Sequence, residues 1–157
     1  MKSSVEVALI AGFAILAGTG TWFASGRPSG EPVTELAQTP LKEGEVRLQT
    51  LLEEGTTGVL WVDARRKDAW QKDGLEGSIH VTTLSDEDLG MQIVRHENAF
   101  FGAAKVVIYC DDLHCSLSHD LAERMKAEYS ALVAGEILVL QGGMTALREA
   151  GMIKDSN

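Results

Sequence analysis

Apolar positions along the chain change their period several times, and each change marks an element. From Lys42 to Glu54 the apolar residues Val46, Leu48, Leu51 and Leu52 follow a loose helical spacing that Gly55 ends. Val59-Leu60-Trp61-Val62 is a short unbroken apolar run, the pattern of a strand buried on both faces. Ser78-Ile79-His80-Val81 reads as a second, weaker strand. Ser85, followed by Asp86-Glu87-Asp88, predicts a capped helix running to about Ala99, with acidic residues complementing the dipole of its first turn. Val106 to Tyr109 is the clearest strand. Leu117, Leu121, Met125 and Tyr129, four apart, form one stripe of a helix over residues 117–129. Ile137 to Leu140 predicts a fourth strand, followed by Gly142-Gly143 and a short helix from about Thr145 to Glu149. Apolar strands alternating with helices imply an α/β domain with a parallel sheet covered on both faces, and ligands in such sheets sit beyond the carboxyl ends of the strands.

The first thirty residues follow a different pattern. No charge occurs from Val7 to Ala24, and a helix of roughly 18 residues can just cross a hydrocarbon core of about 30 Å. This is either a retained transmembrane anchor or a signal peptide cut near Gly18-Thr19-Gly20 or Ala24-Ser25-Gly26. Trp22, Phe23 and Arg27, placed where headgroups would lie, favour the anchor. Lys2 and the amino terminus balance Arg27, so charge barely sets the orientation; the short leading tail suggests that the rest of the chain is exported, placing it on the periplasmic or extracytoplasmic side of the membrane. All three prolines lie between Arg27 and Leu41, which reads as a linker. The expected organisation is therefore a membrane segment over 1–26, a linker over 27–41 and one domain over 42–157.

Charge removes one class of partner. Fourteen basic against 23 acidic side chains, with a formal charge of −9, argue against nucleic acid, whose binding depends on phosphate neutralisation.

Chemistry concentrates in one stretch, VVIYCDDLHCS, from Val106 to Ser116, which holds both cysteines of the chain. Cys110 leaves a strand and precedes a helix for which Ser116 or Ser118 is the expected N-cap. Amides at a helix start favour an anion, and a thiolate there can fall well below the free thiol pKa of about 8.5. The plainer reading of Cys110 is a small buried hydrophobe. Cys110, His114, Cys115 and His119 also form a set that could hold a soft metal such as zinc or copper(I), although the spacing is not that of a paired zinc motif.

WVDAR at Trp61–Arg65, DGLEGSIHV at Asp73–Val81, VVIYC at Val106–Cys110 and LVLQGGMTALREAG at Leu138–Gly151 together resemble the rhodanese-like domain, in that family's order. The resemblance spans roughly residues 45–152. It implies a five-stranded parallel sheet flanked by helices, preceded here by the transmembrane helix. It also implies sulfane-sulfur transfer through a persulfide on Cys110, between a small sulfur donor and a thiol acceptor, a protein thiol among the candidates. The substrate loop would comprise Asp111, Asp112, Leu113, His114 and Ser116, whose amides hold the persulfide without metal or organic cofactor. Asp63 and Arg65 look like the family's supporting Asp-x-Arg pair, Gly142-Gly143 like its double glycine, and Trp70 like a packing aromatic.

Departures from the family pattern qualify the activity. The arginine commonly found five residues after the cysteine is replaced by Cys115, and Asp111 and Asp112 add negative charge, so thiosulfate is expected to be a poor donor and Cys110 to be harder to ionise. Gly74 stands where many relatives have histidine, and Leu113 where they have glycine. Cys115 brings a different chemistry: a second catalytic thiol able to resolve the persulfide or to close a disulfide with Cys110. Competing with this is a non-catalytic rhodanese fold used for interaction or thiol sensing.

Overall fold

The computed structural model describes residues 35–153, and the apolar segment expected to meet a membrane lies outside them. Among the described residues no helix is long and apolar enough to cross a bilayer.

Five strands form one parallel sheet: β1 (Glu45–Val46), β2 (Val59–Asp63), β3 (Ile79–His80), β4 (Lys105–Tyr109) and β5 (Glu136–Leu140), in the spatial order β1-β5-β4-β2-β3. The longest apolar runs take the middle of the sheet, because only a strand covered on both faces needs apolar residues at every position. In β4 every residue from Val106 to Tyr109 is fully buried.

Two-residue alternation splits β4 between two cores. Val106 and Ile108, with Val62, face Ile93, Phe100, Leu121 and Met125. Val107 and Tyr109, with Trp61, face Leu51, Met144 and Leu147. The first face is covered by α4 (Leu89–Arg95), α5 (Glu97–Gly102) and α6 (Leu117–Glu128), the second by α2 (Leu48–Glu54) and α7 (Gly143–Glu149). The same alternation sends Cys110, one residue past β4, into the first core.

Three local expectations are corrected. Val46 belongs to a strand rather than to a helix over 42–54: Glu45 and Val46 pair with Val139 and Leu140, and Arg47 is still extended before α2 begins at Leu48. The helix expected from Ser85 to Ala99 starts later and breaks. Its N-cap is Asp88, whose carboxylate accepts from the Met91 amide at 3.3 Å, and His96 at φ −114° separates α4 from α5. The stretch before Asp88 is held irregular by the buried Gln92 side chain, which accepts from Thr82 N and donates to the carbonyls of Thr82 and Glu87. Finally, α7 begins at Gly143, two residues before Thr145.

A four-residue helix, α1 (Glu35–Gln38), occupies part of the stretch read as linker. The following carbonyls are tied to the domain: Thr39 O accepts from Arg47 Nη2 and Gln141 Nε2 at 3.1 and 3.0 Å, and Pro40 O accepts from Gln141 at 3.3 Å. The remaining helix, α3 (Lys67–Asp73), follows β2.

Candidate active site

Cys110 stands at the carboxyl end of the central strand, where a parallel sheet places ligands. Its backbone is fixed from the side by the double glycine. The Met144 amide donates to Cys110 O at 2.8 Å. Gly142 and Gly143 take φ +79° and +48°, and a Cβ on Gly143 would lie 2.2 Å from the Cys110 carbonyl oxygen. Only a residue without a side chain admits that approach.

The Cys110 side chain is 2% exposed. Its thiol donates to the Cys115 carbonyl at 3.5 Å and shares a hydrogen bond with Ser118 Oγ at 3.3 Å. Burial pushes its pKa up to about 12, interaction with the Cys115 side chain adds to the rise, and the Ser118 hydroxyl and amide oppose it. The two thiols are free, and Cys115 is half-buried and packs against the same core.

This corrects the sequence reading in two respects. The thiol is harder to ionise, as expected, but the cause is desolvation, which outweighs the lowering by the amide and hydroxyl of Ser118 at the helix start. The opposing influence was assigned to Asp111 and Asp112, yet both are exposed, and the rise comes from burial and Cys115. Nor do all the loop amides converge on sulfur. His114 N donates to Asp112 Oδ1 at 2.8 Å and Cys115 N to Asp112 O at 3.3 Å, so the loop satisfies these donors itself. Ser116 precedes α6 but makes no side-chain cap; its hydroxyl lies 3.4 Å from Asp120 Oδ2. Leu113 is half-buried and His114 exposed.

A charged network supports the loop from the β2 side. Arg65 donates from Nε to Asp63 Oδ1 at 3.0 Å and from Nη2 to Asp63 Oδ2 at 2.8 Å, with both residues buried. Its Nη1 reaches Asp73 at 2.9 Å and lies 3.7 Å from Asp111 in the loop. Burial alone would lower the Arg65 pKa, but Asp63 and Asp73 outweigh it and hold the guanidinium charged. Burial likewise favours the neutral form of Asp73, whereas Arg65 and Arg148 hold its carboxyl below the ordinary carboxylate value. Next to Cys110, the Tyr109 hydroxyl accepts from Leu75 N at 3.0 Å and lies 3.2 Å from Ser78 Oγ; burial raises its pKa to about 12.

The alternative metal set is not assembled. His119 Nε2 is turned to Glu45 Oε1 at 2.9 Å, tying α6 to β1, and among the described residues no three His, Cys, Asp or Glu side chains converge as ligands. Trp70 stacks on His80, with centroids 5.3 Å apart, at the sheet edge rather than in the core. The role of Ser118 as the partner of Cys110 was not legible beforehand, since at the sequence level it was only a candidate cap. A serine in the first turn after the cysteine loop was the available signal.

The Cys110 geometry makes a spectroscopic prediction. In a Cys115→Ser chain, the thiolate absorbance near 240 nm is expected to show no titration step below pH ~10, since a free thiol titrates near 8.5. A full step centred between pH 8 and 9 contradicts the buried thiol. The same linkage gives a sign for stability: the native state keeps its proton where the unfolded state loses it, so this contribution is intact below the free value and declines as pH rises toward the native one.

A family model described as Rhodanese-like domain matches residues 46–150. Among solved structures the chain is similar to BH2092 protein from Bacillus halodurans, with a TM-score of 0.51, 16% identity, and coverage of 70% of this chain and 75% of that one. It is also similar to As-Sb reductase from Leishmania major, with a TM-score of 0.50, 20% identity, and coverage of 68% and 78%. Likeness at these identities is one of fold. Among curated proteins none matches the chain.

Proposed function

Because the chain belongs to the rhodanese-like domain family, we propose that it is a sulfur-handling domain in which Cys110 accepts sulfane sulfur and Cys115 is the partner thiol. The observation that carries this reading is the meeting of the only two thiols of the chain at the end of β4, where the Cys110 thiol donates to the Cys115 carbonyl at 3.5 Å. In the first step the Cys110 thiolate attacks the terminal sulfur of a persulfide or polysulfide donor. The donor S–S bond breaks, a thiolate leaves, and a Cys110 persulfide forms. A thiol acceptor then takes that sulfur, or the Cys115 thiolate attacks Cys110 Sγ, expelling hydrosulfide and leaving a disulfide that an external dithiol reduces.

The buried, protonated Cys110 adds a condition: the reduced site is a resting state, and residues 111–116 must move aside before sulfur is exchanged. Such movement breaks few bonds, since Asp112, Asp111 and His114 are exposed and the Asp111–Arg65 contact is long. Thiosulfate is a poor donor in this account, because Arg65 is already committed to Asp63 and Asp73 and leaves little positive charge for a dianion. The burial of Cys110 also favours a second reading, thiol sensing without turnover, in which the Cys110–Cys115 disulfide itself is the signal.

Cys115→Ser separates the two. If Cys115 resolves the persulfide, the adduct on Cys110 is expected to persist at least about tenfold longer in the variant, measured by mass spectrometry after donor removal. An unchanged lifetime removes the resolving role. We place the domain on the exported side of a membrane, tethered through the apolar segment from Val7 to Ala24; protease protection in intact vesicles tests this.

A further inference from the structure

An open cavity of about 960 Å³ lies beyond β3, between α3 on one side and, on the other, α4 with the loop that leads into it, and neither Cys110 nor Cys115 lines it. Its size falls within the range of roughly 300–1,000 Å³ typical of small-molecule sites. From α3 come Arg66, Lys67 and Trp70; from β3 comes His80; from the end of α4 come Arg95 and His96.

Its wall is built rather than loose. The Trp70 and His80 rings stack at 23°, with Trp70 Nε1 donating to Ser78 Oγ at 3.1 Å and His80 Nε2 bonded to Arg65 O at 2.8 Å. Gln92 spends both ends of its amide pinning Thr82 and Glu87, and the Thr82 hydroxyl donates to Ala64 O at 2.7 Å. Leu84, 52% exposed, adds an apolar rim.

Charge in the cavity runs against that of the chain. Three cations, Arg66, Lys67 and Arg95, outnumber the carboxylates Asp68 and Glu87, on a chain whose formal charge is −9. Arg95 is engaged by Glu87. Arg66 meets Asp68 at 3.4 Å with both side chains 76% exposed, a pair of little net worth that an incoming anion can replace. Burial, with the charges of Arg95 and His80, holds His96 below the ordinary imidazole pKa, so it offers a hydrogen bond rather than further charge.

We propose that this cavity is a binding site for a small organic anion bearing a flat ring, its charged end at Arg66 and Lys67 and its ring against the Trp70–His80 wall. The site is separate from the cysteine loop, and the inference stands independently of sulfur handling.

The test is a titration of the full-length ¹⁵N-labelled chain with benzoate, benzamide and inorganic phosphate, read at the Trp70 indole and the Lys67, Thr82 and His96 amides. Benzoate is expected to give saturable shifts with Kd below about 1 mM, and benzamide and phosphate to bind at least about tenfold more weakly. Arg66→Glu with Lys67→Glu, both at exposed positions, is expected to weaken benzoate at least about tenfold. Shifts that stay linear in benzoate, equal binding of benzamide or phosphate, or an unaffected double variant would each overturn the proposal.

Discussion

Replacing Gly143 by alanine is expected to destabilise the domain by roughly 3–5 kcal/mol, at the top of the range for single substitutions. Two effects combine. At φ +48° a Cβ is strained against its own backbone, by about 1–2 kcal/mol. The new methyl would also lie 2.2 Å from the Cys110 carbonyl oxygen and 2.9 Å from its carbonyl carbon, and both belong to backbone that cannot rotate away. Relief requires moving α7 off the end of β4, which breaks the Met144 N–Cys110 O bond. Urea unfolding followed by tryptophan fluorescence measures the loss, and a change under 1 kcal/mol would show that the double glycine is not needed for close approach. Alanine at Gly77, where a Cβ meets nothing within 4 Å, isolates the conformational part at a similar φ of +79°.

A loss of similar size is expected for Arg65→Met, for an electrostatic reason. Asp63 is fully buried and Arg65 nearly so, and removing one partner of such a pair leaves an uncompensated charge at about 3–5 kcal/mol. Asp63→Leu combined with Arg65→Met should recover part of this loss, because no lone charge remains. A double variant as unstable as the sum of the singles would assign the loss to packing alone. Asp73 gives the network a pH signature. Its native pKa is depressed, so its contribution is present above the unfolded carboxylate value and is lost as pH falls through the native one. Asp73→Asn is expected to flatten that acid limb of the stability curve.

How far the sequence carried depended on whether a feature was local. The strands over Val59–Asp63, Lys105–Tyr109 and Glu136–Leu140 announce themselves because burial on both faces leaves each an unbroken apolar run, with its charged residue only at an end. Glu45–Val46 could not be read that way. Two residues carry no period, and they form a strand only because β5, some ninety positions later, offers its edge. The late start of α4 at Asp88 was hidden for a similar reason, since it depends on where Gln92 anchors Thr82 and Glu87. In the site, the position of Cys110 and the need for bare backbone at Gly143 were legible from motif order. The state of the thiol was not. Alternation along β4 sends Cys110 inward, so the thiol is desolvated and bonded to Ser118 and Cys115 instead of resting on the loop amides, and Asp112 turns those amides on itself.

Central to the account is a sulfur atom carried on Cys110. Peptide mass spectrometry of the full-length chain, reduced and then exposed to polysulfide, tests it most directly. An added mass of one sulfur, ~32 Da, is expected on the Cys110 peptide of the Cys115→Ser chain, where no partner thiol removes it. A Cys110 peptide that stays unmodified, or carries no more label than an exposed control cysteine placed elsewhere, contradicts it.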